Sequence, residues 1–164
     1  MKIITITRKS AIETFSIYKT SLLSKADIEN LLFAEYNDEE SGEPIAYENI
    51  YDDDVQDFLI KFHTEIIFFG ISNEYLSRFL KQSFNLDFVI FGNEPELNKC
   101  PCCGYLTLPE RGQYDICPVC LWEDDGRSED LLESYSTVNH SSLKDYRLSK
   151  LPSLLGDDIY YRKG

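Results

Sequence analysis

Apolar residues recur at helical spacing through most of the first half of the chain. Ala11, Phe15, Tyr18 and Leu22 share one helical face. Ser10 and Glu13 stand at capping-box spacing, which places the helix start at Ser10. Ser24 and Asp27 repeat that spacing ahead of Ile28, Leu31 and Leu32, so residues 10–36 are expected to form a helical hairpin. Val55, Phe58, Leu59, Phe62 and Ile66 continue a helical stripe, and the run Ile66-Ile67-Phe68-Phe69 before Gly70 suits a helix or a strand equally. Ser72 reads as a further N-cap, with Tyr75, Leu76, Phe79 and Leu80 behind it. Asp87-Phe88-Val89-Ile90-Phe91 reads as a short buried strand. Ser142 and Asp145 cap a last helix, which Pro152 is expected to end.

These elements predict an α+β fold. A mainly helical N-terminal region, residues 1–95, packs with a short sheet. A C-terminal four-cysteine, zinc-ribbon-like module follows over residues 96–164. The linker Asn93–Asn98 is short, and we expect one compact domain. With 43% hydrophobic residues, including 11 Tyr and 10 Phe, the 164-residue chain has enough apolar material for a core. Arg8, Lys9 and Glu13 break the N-terminal region early, and no long apolar run appears, so neither a signal peptide nor a membrane span is expected. A cytoplasmic location is the expectation, where thiols stay reduced and serve as metal ligands more often than as disulfides.

Charge changes this picture. Asp and Glu number 29 against 16 Lys and Arg, a formal net charge of -13. Such a chain repels nucleic-acid phosphates and attracts a basic protein. Simple solubility explains the same charge equally well. The acids concentrate over residues 35–57, which hold no Lys or Arg. Glu39, Glu40, Asp52, Asp53 and Asp54 are therefore candidate partner contacts, with Asp52–Asp54 also suited to a helix N-terminus.

The chemistry lies in the cysteines. Cys100-Pro101-Cys102-Cys103-Gly104 and Cys117-Pro118-Val119-Cys120 share the pattern Cys-Pro-x-Cys, and together give C-x2-C-x13-C-x2-C. The tight turn between each pair lets two thiolates converge on one ion. Cys100, Cys103, Cys117 and Cys120 are thus expected to bind zinc, with an iron centre as the lesser option. Four protein ligands leave no position for a reactive water, which makes the site structural. Cys102 falls outside the set. It is a packed thiol, a reactive one, or a substitute ligand for Cys100. Neither His63 nor His140 has a cysteine or carboxylate partner at catalytic spacing, and His63 is expected to be packed or half-exposed. No phosphate loop, dinucleotide fingerprint or hydrolase triad is present.

Trp122 follows the second knuckle and is expected to cover the metal. Glu123, Asp124 and Asp125 come next and offer a second partner-contact surface. The Cys100–Tyr105 segment, the run Tyr114–Cys120 and Trp122-Glu123-Asp124-Asp125-Gly126 together resemble the bacterial CPCC cysteine-rich family, over about residues 99–147. The resemblance implies a small zinc-ribbon-like module in bacterial cytoplasm and an accessory or immunity-type role near toxins. It implies no catalytic residues. The leading expectation is a non-enzymatic immunity protein that neutralises a basic bacterial toxin. Alternatives are a hydrolase using the acids after the second knuckle or Cys102, and a nucleic-acid-binding zinc ribbon, which the charge disfavours.

Overall fold

A computed structural model describes residues 3–156 and 159–164. The chain divides into two compact units, Met1–Phe69 with Phe79–Gly92, and Gly70–Arg78 with Asn93–Gly164. The division is discontinuous, whereas the sequence suggested a single boundary near residue 95.

The first unit opens with β1 (Ile3–Thr7), followed by α1 (Arg8–Ser21), α2 (Lys25–Glu35) and α3 (Asp53–Phe62). Both expected helices are present, but α1 starts two residues early, and the two do not pair as a hairpin: α1 packs against α3, and α2 reaches α3 through Ile28 and Leu32. Thr7 is the N-cap, and its hydroxyl oxygen accepts the Ser10 N–H at 3.2 Å. Glu13 instead stands opposite Lys9, one turn away. The second capping box is as read. Ser24 accepts from the Asp27 N–H at 3.2 Å, and Asp27 accepts from the Ser24 N–H at 3.3 Å. Asp52 is the N-cap of α3 and accepts from the Asn49 N–H at 2.9 Å. The apolar run after α3 is neither a regular α-helix nor a strand: Ile66 and Ile67 end a π-helical turn, His63–Ile67, closed by the Phe68 N–H on the His63 carbonyl, and Phe68 and Phe69 follow it. Apolarity alone could not separate these backbones. His63 is buried, its Nδ1 2.7 Å from the Leu59 carbonyl.

The core of this unit gathers Ile28, Leu32, Tyr36, Ile50, Val55 and Leu59. Phe15 packs edge-on against Phe68 and Phe79, each at 4.9 Å. β1 pairs in parallel with β2 (Asp87–Phe91), Ile3 opposite Asp87 through Thr7 opposite Phe91. The strand read as buried is only half so. Ile4, Ile6, Phe88 and Ile90 face inward, while Val89 and Phe91 are exposed.

α4 (Asn73–Phe84) starts in the second unit and ends in the first. Ser72 accepts from the Tyr75 N–H at 3.1 Å, the expected cap. Gly70 does more than end a segment. A β-carbon there would meet Leu97 at 2.8 Å and Tyr161 at 2.9 Å. The second unit also carries β3 (Asn98–Lys99) paired with β4 (Leu106–Leu108), and β5 (Tyr135–Ser136) paired with β6 (Ser141–Ser142). α5 (Leu143–Ser149) begins at the Ser142–Asp145 cap, and Pro152 lies in the first turn of a further short helix, α6 (Leu151–Leu154), so it starts a turn as well as following one. The core here is the cysteines with Leu108, Trp122, Leu143 and Tyr146. No helix among the described residues is long and apolar enough to cross a membrane.

Candidate metal centre

The two cysteine pairs sit at the tips of two separate hairpins, one per knuckle. Their backbones are twins. The Cys100 N–H donates to the Tyr105 carbonyl at 2.8 Å, and Gly104 N–H returns to the Cys100 carbonyl at 3.0 Å. In the second knuckle, Cys117 N–H donates to Trp122 at 2.9 Å and Leu121 N–H to Cys117 at 2.8 Å. The residue after each second cysteine must turn left-handed. Gly104 does so at φ 80° without cost, and Leu121 does so at φ 59° with a side chain in place. That requirement explains the glycine in one half and identifies Leu121 as a strained position in the other.

The turns bring Cys100, Cys103, Cys117 and Cys120 together, with their sulfurs all within 4.8 Å of one another. Cys100 to Cys120 and Cys103 to Cys117 are each 3.6 Å. All five cysteines are free thiols, and 3.6 Å is far outside the ~2 Å of a disulfide. Zinc bonded to sulfur at about 2.3 Å places tetrahedral sulfurs about 3.8 Å apart, so the donor set fits the ion. All four ligands are buried.

Contact among the four sulfurs makes their ionisation interdependent. Hydrogen bonding from Cys103 pulls the Cys100 thiol below its ordinary range, and bonding from Cys100, Cys103 and Cys120 does the same to Cys117. The same contacts push Cys103 and Cys120 up. Crowded sulfurs cannot all ionise together unless a positive charge joins them. Cys102 is buried outside the set of four.

Trp122 lies in the core beside the cysteines, wholly buried, edge-on to Tyr146 at 5.1 Å. The Tyr146 phenol, raised by burial and then by the nearby sulfurs, donates to the Cys120 carbonyl at 3.0 Å. The residues after Trp122 require a correction. Asp124 is fully buried and cannot be a contact surface. It accepts from Arg111 at 2.8 and 3.2 Å and from the Gly112 N–H at 2.7 Å. Asp125 is also withdrawn, held by Arg127 and by the Ser136 hydroxyl at 2.6 Å. Glu123 is half-buried. Its N–H donates to Asn139 Oδ1 at 2.9 Å, and its carbonyl accepts from Asn139 Nδ2 at 2.8 Å. The Asp124 carboxylate thus ties Arg111 and Gly112 to the second knuckle, while the Asp125 carboxylate and the Glu123 backbone tie in Ser136 and Asn139. The pair Asp124 and Asp125, considered for hydrolysis, is engaged in ion pairs.

The other acidic residues lie in the first unit. Glu39, Glu40, Asp53 and Asp54 are exposed and Asp52 is half-buried. Asp38 orders their loop. It accepts from the Ser41 N–H at 2.8 Å and the Glu40 N–H at 3.2 Å, and these bonds, Ser41's foremost, hold its carboxyl below the usual range. Three residues in and around the metal centre have no role assigned from the sequence. Thr107 places its hydroxyl 3.2 Å from the Cys117 sulfur. Arg111 and Asn139 organise the acids as described above.

Residues 98–149 match the family described as Cysteine-rich CPCC, which bears out the resemblance over that segment. The match runs from β3 to the end of α5. No curated protein and no solved structure matches the chain.

Proposed function

We propose that the C-terminal module folds around one structural zinc ion and that the chain works by binding a basic protein. The burial and spacing of the four thiols support the first part. Zinc would supply the positive charge that lets all four sulfurs ionise together, with Cys100, Cys103, Cys117 and Cys120 as its ligands.

The observation that carries the second part is the exposed segment 35–57, acidic and without Lys or Arg. Its loop is ordered by Asp38 and backed by Tyr36, which packs 4.8 Å from Phe58 and donates to Asp54 at 3.3 Å. Charge presented on an ordered loop speeds encounter with an oppositely charged surface. In its specific form, the partner is a bacterial toxin whose basic substrate-binding face the chain covers, as an immunity protein does. The toxin setting comes from the family resemblance, and the charge supplies the chemistry of recognition. Glu39, Glu40, Asp53 and Asp54 remain the proposed contacts, and Asp124 and Asp125 are removed from them.

Purification from the native host tests this reading. A basic protein should co-purify, and co-expression should suppress its toxicity. A toxin left fully active by co-expression refutes the immunity role.

A further inference from the structure

The two knuckles share a backbone but not an environment. Thr107 and Asp124 stand at the same place in each, seven positions after the first cysteine of their own half. They do different things. Asp124 gives its oxygens to Arg111 and Gly112. Thr107, in β4 between Leu106 and the fully buried Leu108, reaches the opposite knuckle, its Oγ1 3.2 Å from Cys117 Sγ. It is 3% exposed, so water does not compete for the bond.

We infer that Thr107 is a positioning residue of the metal centre, its hydroxyl fixing the Cys117 sulfur from the other hairpin. The inference rests on the proposed metal site. A sulfur bound to a metal has lost its proton, so the bond has one possible sense: the hydroxyl donates and the sulfur accepts. A donor to a thiolate disperses its charge and sets its orientation, the part that partners of metal ligands play elsewhere. Here the bond also crosses between hairpins. Ligands Cys100 and Cys103 belong to one turn and Cys117 and Cys120 to the other, so relative placement of the turns decides whether four sulfurs can meet. Thr107 follows the first turn within its own hairpin and holds the leading ligand of the second.

The test uses the full-length chain loaded with zinc and titrated with a chromophoric chelator. Thr107→Val keeps the shape and removes the donor, and should bind zinc about tenfold or more weakly. Thr107→Ser keeps the donor and should stay within about threefold of the parent. Cobalt(II) substitution adds a readout that packing alone would not move. The sulfur-to-cobalt charge-transfer band should shift in Thr107→Val and not in Thr107→Ser. Iodoacetamide should label Cys117 faster in the valine variant. Equal affinity and an unchanged band in Thr107→Val overturn the inference while leaving the metal site intact. Equal losses in both variants overturn it as well, by assigning the effect to packing. A parent chain that takes up no zinc overturns the inference together with the metal site on which it rests.

Discussion

Asp124→Asn tests the reassignment of the acids after the second knuckle. Asparagine keeps the side-chain shape and removes the charge. The parent carboxylate accepts two bonds from Arg111 and one from Gly112 while wholly buried. Hydrogen bonds to charged groups contribute about 1.5–3 kcal/mol each, and breaking a buried ion pair costs about 3–5 kcal/mol. Arg111 remains 33% exposed, so water takes over part of its solvation and the lower end applies. One asparagine oxygen still accepts a bond, while its amide faces donors. The expected loss is about 2–3 kcal/mol. Urea unfolding of the metal-loaded chain, followed by Trp122 fluorescence, should show the midpoint falling by about 1–2 M. Arg111→Met in the same background should recover part of the loss, because it removes the stranded cation. A midpoint unchanged by Asp124→Asn, with partner binding abolished, would falsify the structural role and restore Asp124 to the contact surface.

Four further outcomes follow from the geometry. Gly70→Ala should destabilise by about 1–3 kcal/mol, since its β-carbon would meet Leu97 and Tyr161 below 3 Å; thermal unfolding measures it. Leu121→Gly removes left-handed strain of about 1 kcal/mol and adds unfolded-state freedom of similar size, so its melting temperature should stay near the parent's, whereas Gly104→Leu should lower it. The Asp38 carboxyl is depressed on folding, so its contribution is present above its ordinary value of 3.8 and is lost as pH falls below it. Protection of the Ser41 and Glu40 amides, taken against the intrinsic exchange rate at each pH, should fall in acid before the helices open. Charge reversal at Glu39, Glu40, Asp53 and Asp54 together should slow association with a basic partner and flatten its salt dependence, while unchanged rates would remove this segment from the interface.

Much of the fold is legible where short-range chemistry decides it. The caps at Ser24, Ser72 and Ser142 depend on residues three apart, and each is present. The cysteine set is legible because its ligands repeat a turn whose geometry is local. What escaped reading depends on distant partners. β1 is a β-branched run, Ile3-Ile4-Thr5-Ile6-Thr7, whose parallel partner lies beyond four helices. Thr7 displaced Ser10 as a cap through a hydroxyl one turn earlier. Asp124 and Asp125 look like surface charge beside Glu123, and only the fold supplies Arg111, Arg127 and Ser136 to bury them. The left-handed position after Cys103 was marked by Gly104, while its twin at Leu121 carried no such mark.

The central claim is that four thiolates and one zinc ion hold the second unit together. The chain should be purified without added metal, its bound metal counted by elemental analysis, and the ion then removed with a strong chelator under reducing conditions. The expected result is one zinc per chain, with Trp122 emission shifting to the red on removal as the buried indole meets water, and returning when zinc is restored. A chain that carries no stoichiometric metal, or whose Trp122 emission and near-ultraviolet dichroism survive metal removal unchanged, contradicts it.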